Sequence, residues 1–241
     1  MPDGYPGAML LDLDDTILAF DRDAASMWLN VSREFEDRLP GVTPQQLGDA
    51  VEEFREWYWS DPVRHKIARL DLLKARRDVM TGTFQRLGID DLDLAAEIGE
   101  AYAVARDATI APFPGAIDAV KAFRGAGVRL ALVTNGSSAA QRSKIDRFDL
   151  ERLFDHVQIE GEFGAGKPEP SVYLHALERV GGTPSDAWMV GDNLEWEVAA
   201  PQRLGIIGIW NDWQGAGLPP ESTVRPDRII TSLSELVPGS A

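Results

Sequence analysis

The chain has 241 residues, with 24 Lys and Arg against 39 Asp and Glu for a formal net charge of -15, and it has no cysteine. Without cysteine there is no disulfide framework, thiolate nucleophile or Cys-ligated zinc or iron–sulfur site, and the acidity repels a phosphodiester backbone, so no nucleic-acid partner is expected. With 44% hydrophobic and 26% charged residues, no apolar run near the ~18 residues of a membrane span and no basic leader at the N-terminus, the expectation is a soluble, cytoplasmic protein with no membrane partner.

The first predicted element is Ala8-Met9-Leu10-Leu11-Asp12-Leu13-Asp14, a short buried strand that ends in carboxylates. From about Asp21 to Ala108 the pattern becomes helical. Leu29, Phe35 and Leu39 lie on the first segment. Thr43-Pro44-Gln45-Gln46 announces the second, with capping-box spacing and proline at the first helical position. That helix carries Val51, Phe54 and the run Trp57-Tyr58-Trp59. A third segment spans about 62–87 and a fourth about 92–106, each weakened by an internal glycine, Gly82 and Gly99.

Past Pro112-Phe113-Pro114-Gly115, strands alternate with helices. Strands are expected at 128–134, 156–159, 188–190, 206–210 and 228–230, and helices near 116–124, 138–147, 170–180 and 193–204. Short apolar strands separated by helices predict a parallel sheet covered on both faces. The first strand belongs to it. The architecture read from the pattern is therefore a doubly wound α/β core, residues 1–20 and 109–241, interrupted by an all-helical unit at 21–108.

Ligands of such sheets bind beyond the carboxyl ends of the strands, so the candidates are the residues that finish strands. Asp12 and Asp14 end the first, followed by Asp15 and Thr16. Residues two apart on a strand share a face, and two like charges at an apolar edge are costly without a cation or a shared proton. An acidic turn, with Asp14 or Asp15 capping the next helix, is the plainer alternative. Gly191-Asp192-Asn193 ends a later strand, with Glu195 and Glu197 just beyond. A second acidic cluster points to a divalent-metal site, and oxygen-only ligation suits Mg²⁺ rather than zinc. The same residues also suit a helix N-cap at Asp192 or Asn193 with acids in the first turn.

Thr134-Asn135-Gly136-Ser137-Ser138 follows a strongly apolar strand and offers hydroxyl and backbone N–H donors to an anion, although Asn-Gly is also a common turn. Lys167 lies in Gly161-Glu162-Phe163-Gly164-Ala165-Gly166-Lys167-Pro168. This nearly matches a P-loop, but Pro168 supplies neither the hydroxyl nor the backbone N–H that the pattern requires, so a nucleotide triphosphatase is rejected. A loop lysine is usually a solvated charge; here it ends a strand among acidic strand ends, where it can hold an incoming phosphate. A carboxylate nucleophile, a second carboxylate, Mg²⁺, an anion site and a lysine are the parts of phosphoryl transfer through an aspartyl-phosphate.

The ordered set Asp12-Leu13-Asp14-Asp15-Thr16, Thr134-Asn135-Gly136, Lys167-Pro168 and Gly191-Asp192-Asn193-Leu194-Glu195-Trp196-Glu197 resembles the haloacid dehalogenase superfamily, in its subgroup with a helical cap inserted after the first strand. Within it, the chain is most similar to N-acylneuraminate-9-phosphatase and the pyrimidine-nucleotidase-like phosphatases. The resemblance implies a Rossmann-like core with an inserted all-helical cap domain. It implies Asp12 as nucleophile and Asp14 as general acid, then base. Mg²⁺ would be held by the Asp12 carboxylate, the Asp14 backbone carbonyl and Asp192. Thr134 and the Asn135 backbone would bind phosphate, Lys167 would bridge phosphate and nucleophile, and Thr16 and Glu197 would support the site. Asp14 argues against a dehalogenase, since dehalogenases of this family lack an acid there.

Two positions depart from the family pattern. Glu197 stands where an Asp usually positions the metal or its water. Pro201 interrupts the following helix at a cost of ~3 kcal/mol, so a kink or an early end near Ala200 is expected.

Within the helical unit, Arg64, Lys66, Arg69, Lys74, Arg76 and Arg77 make a basic segment. It either steers an anionic substrate or forms a solvated face paired with acids. Trp57, Tyr58 and Trp59 either stack on a sugar or base or belong to the core of that unit. Cap closure is expected to hinge near Phe20–Asp21 and 108–112. The expected function is a Mg²⁺-dependent phosphomonoesterase of a small phosphate ester (a sugar phosphate, sugar acid phosphate or nucleotide), acting as monomer or homodimer. The alternatives are a phosphosugar mutase of the same superfamily and a non-catalytic, phosphate-sensing receiver-like module; receivers, however, are much shorter and have no helical insert.

Overall fold

β1 (Ala8–Leu11) has no exposed residue, as an apolar run without alternation requires when both faces of a sheet are covered. In the computed structural model, which describes residues 4–238, the chain goes on to a short β2 (Leu18–Ala19) and then to five helices. These are α1 (Ala24–Glu34), α2 (Pro44–Ser60), α3 (Pro62–Ala68), α4 (Leu72–Leu87) and α5 (Leu92–Thr109). β3 (Ala111–Pro112) pairs antiparallel with β2. There follow α6 (Ala116–Gly125), β4 (Arg129–Thr134), α7 (Ser138–Arg147), β5 (His156–Ile159), α8 (Glu160–Phe163), α9 (Pro170–Arg179) and β6 (Ala187–Gly191). A π-helical turn Leu194–Ala199, α10 (Ala200–Gln202), β7 (Ile207–Asn211) and β8 (Arg228–Ile230) complete the regular elements that matter here.

Six strands form one sheet in the order β5-β4-β1-β6-β7-β8, every neighbouring pair parallel. Counted along the chain, that order is 3-2-1-4-5-6, the Rossmann arrangement. It reverses direction between β1 and β6. Residues following those two strands therefore line the crevice in which such sheets bind ligands. Leu11 lies opposite both Leu132 and Val190, and Asp12 N donates to the Val190 carbonyl at 3.0 Å, which carries the ladder one residue past the strand. One face of the sheet is filled by Ala8, Leu10, Ala131, Val133 and Met189 against Val172, Tyr173, Ala176 and Leu177 of α9. The fold is α/β, a Rossmann-like sheet with a helical insertion.

The described residues divide into two compact units, one running to Phe20 and resuming at Ala111, the other Asp21–Ile110. The helical unit has its own core, built around Trp28, Leu47, Val51, Phe54, Met80, Phe84, Ile98 and Tyr102. The Trp28 and Tyr102 rings stack with centroids 3.5 Å apart. The capping box expected at Thr43 is present: Thr43 Oγ1 accepts from Gln46 N, and Gln46 Oε1 accepts from Thr43 N.

Two expectations need correction. The segment expected to run unbroken over 62–87 is two helices, α3 and α4, because the Asp71 carboxylate accepts the Lys74 N–H at 3.0 Å and starts a new N-terminus. Gly82 and Gly99 are points of close approach rather than mere weaknesses: a Cβ at Gly82 would fall within the Phe54 ring, and one at Gly99 would lie 3.2 Å from the Arg76 carbonyl oxygen. The break expected near Ala200 is found: the π-turn over Leu194–Ala199 gives way there to α10, with Pro201 in its first turn, and the helix ends at Gln202.

Candidate active site

The carboxylates after β1 are arranged by a tight turn rather than by a helix cap. Leu13 O accepts from both Ile17 N and Leu18 N at 2.9 Å. Asp15 takes φ 54°, a left-handed conformation that Asp tolerates better than most residues. Its carboxylate accepts the Phe20 N–H at 2.9 Å, and its carbonyl accepts from Asn211 Nδ2 at 3.0 Å. No helix begins there, so the alternative of Asp14 or Asp15 as a helix cap falls away. Thr16 Oγ1 donates to Asp12 Oδ2 at 3.3 Å.

Lys167 is the centre of the site. Its side chain is 1% exposed, and Nζ lies 2.5 Å from Asp12 Oδ1 and 2.8 Å from Glu197 Oε1. The backbone of Lys167 is clamped by the Asn135 side chain, whose Nδ2 donates to Lys167 O (2.9 Å) while Oδ1 accepts from Lys167 N (2.7 Å). The loop after β4 thus sets the position of a lysine 32 residues away. Burial acts to discharge Lys167, but Asp12 and Glu197 outweigh it and hold the ammonium protonated above the ordinary lysine range. Burial raises the Asp12 carboxyl, with Lys167 pulling against it and Asp14 adding to the rise.

Glu197 does not merely sit near a metal position, as its place in the sequence suggested. It is buried, pairs with Lys167 and accepts the Asn193 N–H at 2.8 Å. Burial lifts its carboxyl to about 7 despite the attraction of Lys167. Gly191, at the end of β6, leaves just enough room for this arrangement: a Cβ there would lie 2.1 Å from Glu197 Cγ and 3.0 Å from Asp12 Cβ. Between Asp192 and Asn193, the helix cap is Asn193, whose Oδ1 accepts from Glu195 N and Trp196 N, both at 3.1 Å. Asp192 is left to the crevice. Burial first, then the charges of Glu197, Asp12 and Asp15, push its carboxyl well above the usual carboxylate range.

Around the phosphate candidates, Ser137 caps α7 by accepting from Ala140 N. The Gly136 N–H is taken by Glu160 Oε2 at 2.9 Å, and the Thr134 hydroxyl lies 3.4 Å from the Asn135 carbonyl oxygen, to which it donates. Sequence reasoning missed two residues here. Lys144 Nζ reaches both Asp14 oxygens at 2.6 Å, and Gln141 Nε2 reaches Asp14 Oδ2 at 3.0 Å. On an exposed-looking helix, nothing but their spacing of three could have marked them.

Do these residues suit Mg²⁺? Among the described residues no group of three or more His, Asp and Glu side chains is arranged to hold a metal, but the implied set contains only two carboxylates and a backbone carbonyl. The charges of Asp12 and Asp15 both bear on Asp192, and Lys167 offsets them in part. A crowded, oxygen-only set with excess negative charge is what a hard divalent cation fits.

In the helical unit, most of the basic segment is engaged locally. Lys74 pairs with Asp78 at 2.5 Å, Arg76 with Asp107 at 3.4 Å, and Arg77 with Glu100. Arg64 donates to the Trp57 and Tyr58 carbonyls and lies 4.1 Å from the Trp57 ring centroid. Tyr58 is in the core of that unit and Trp59 packs against it, whereas Trp57 is half exposed.

Comparison with known proteins places these observations in a family context. The family model for haloacid dehalogenase-like hydrolases matches residues 7–205. The pyrimidine 5'-nucleotidase YjjG of Escherichia coli (strain K12) is 27% identical, with 95% of each chain covered. The phosphoserine phosphatase of Thermus thermophilus is 30% identical, covering 95% of this chain and 96% of that one. Among solved structures, the HAD-hydrolase YfnB of Bacillus subtilis superposes with a TM-score of 0.72 at 20% identity, with 97% of each chain covered; at that identity the likeness speaks for the fold.

Proposed function

From the premise that this chain belongs to the haloacid dehalogenase-like hydrolases, we propose that it works through a phosphorylated Asp12. It is a phosphatase of small phosphorylated metabolites. The observation that carries the mechanism is the buried Lys167 ammonium held against Asp12 Oδ1 by the Asn135 clamp.

An Asp12 carboxylate oxygen attacks phosphorus while the bond to the ester oxygen breaks, and Asp14 gives its proton to the departing oxygen. A water molecule then attacks phosphorus, passes its proton to the Asp14 carboxylate and breaks the bond to Asp12, releasing phosphate. Lys167 fixes the orientation of the nucleophile and offsets charge gathering at the phosphoryl oxygens. Thr134 and the Asn135 backbone hold the phosphate. When bound, Mg²⁺ on Asp12, Asp192 and the Asp14 carbonyl would neutralise phosphoryl charge as a Lewis acid. We assign the helical unit, residues 21–108, as the cap that excludes water and selects among sugar phosphates, sugar acid phosphates and nucleotides.

The test is phosphate release from a panel of phosphomonoesters, with Mg²⁺ and with chelator, for wild type and Asp12→Asn. Mg²⁺-dependent release abolished by Asp12→Asn is the expected result. Isomerisation of a sugar phosphate with little phosphate released would indicate a mutase, and turnover surviving Asp12→Asn would remove the mechanism.

A further inference from the structure

α7 carries two buried polar side chains, Gln141 and Lys144, on one face. They reach the ends of two different strands. Lys144 Nζ donates to both oxygens of Asp14 at 2.6 Å and lies 4.6 Å from the centroid of the Phe20 ring. Gln141 Nε2 lies 3.0 Å from Asp14 Oδ2, 2.5 Å from Thr134 Oγ1 and 2.9 Å from the Asn135 carbonyl. One helix face thereby ties the residue expected to transfer protons to the residues expected to hold phosphate. The Lys144 side chain is 8% exposed, so this is not the solvated surface pair whose contribution is usually negligible. Fixing such a long side chain costs rotamer entropy, which a defined contact must offset.

Building on the phosphatase reading above, we propose that Lys144, seconded by Gln141, is a positioning residue for Asp14. It fixes the carboxyl beside Thr134, so that proton delivery to the leaving oxygen depends on α7. Lys144 itself exchanges no proton and forms no bond to phosphorus. Attack by Asp12 and binding by Thr134 and Lys167 do not pass through it. In the first half-reaction the Asp12 oxygen bonds to phosphorus, the ester bond breaks, and the Asp14 proton goes to the departing oxygen. A displaced Asp14 therefore penalises a poor leaving group and spares one that departs as a stable anion.

The experiment compares kcat/KM, which reports this first half, for the best alkyl phosphate in the panel and for p-nitrophenyl phosphate, whose phenolate needs no proton. Lys144→Met is expected to lose ~100-fold or more on the alkyl ester, the scale of general acid catalysis, and under ~10-fold on the nitrophenyl ester. Gln141→Leu should show the same direction at smaller size, and it carries the comparison alone if Lys144→Met does not fold by circular dichroism. A purely structural role lowers both esters by one factor. That result, or an unchanged alkyl rate, overturns the proposal. Asp12→Asn retaining turnover would instead remove the phosphatase reading, and this proposal with it.

Discussion

Lys167 and Glu197 are a pair whose meaning depends on distance. Taken from sequence, Glu197 is a longer substitute for a metal-positioning acid; in the fold its carboxylate lies 2.8 Å from Lys167 Nζ and accepts the Asn193 N–H. It shares the ammonium with Asp12. Breaking a buried ion pair by removing one partner costs ~3–5 kcal/mol, yet Gln keeps the shape of Glu and leaves Lys167 paired with Asp12. Glu197→Gln is accordingly expected to lower the unfolding midpoint and slow phosphate release, while the Mg²⁺ concentration giving half-maximal rate moves by less than ~3-fold. Loss of a group that orients metal ligands typically costs ~10–100-fold in metal affinity. A shift of that size in a Mg²⁺ titration would return Glu197 to the metal.

Between elements, the decisive contacts are made by backbone. The π-turn after β6 packs on β7 at Gly208, where a Cβ would lie 2.7 Å from Val198 Cα and 3.1 Å from Val198 O. The nearest atom in the way is main chain and cannot swing aside, and Val198 Cγ1 adds a side-chain contact at 3.1 Å. Gly208→Ala is expected to destabilise the protein by ~1–3 kcal/mol, the usual cost of overpacking, even though alanine is the better residue for a strand. Urea unfolding measures it, and an unchanged midpoint would mean the π-turn moves freely over the sheet. The same packing brings Glu197 to Lys167, so phosphate release should fall in parallel.

At the scale of the whole molecule, charge opposes the reaction. A net -15 repels an anionic ester, and three of the six cations of the basic segment are matched by acids within the helical unit: Lys74 by Asp78, Arg76 by Asp107, Arg77 by Glu100. Raising ionic strength from about 10 to about 150 mM shortens the screening length from ~30 to ~8 Å. At fixed free Mg²⁺, kcat/KM for a phosphate ester is expected to rise over that range. A fall would show that the basic segment steers the substrate after all. Among the described residues no helix is long and apolar enough to cross a membrane.

Much of this was written locally. β1 needs only four apolar residues to mark a strand buried on both faces, and the alternation after Pro112 was enough to predict a doubly wound sheet, because hydrophobic period and turn residues act over a few positions. Asp12, Asp14, Thr134, Lys167 and Asp192 were legible for the same reason: each finishes a strand or its loop, and a doubly wound sheet gathers strand ends. The tertiary structure alone decided the partners. That Asn135 clamps the Lys167 backbone, that Glu197 faces Lys167, that Asn193 rather than Asp192 caps the turn, and that Lys144 and Gln141 reach Asp14 from α7 are contacts mostly between residues far apart in sequence. A buried lysine and a solvated one read alike along a chain; only the packing that removes water and supplies a carboxylate separates them.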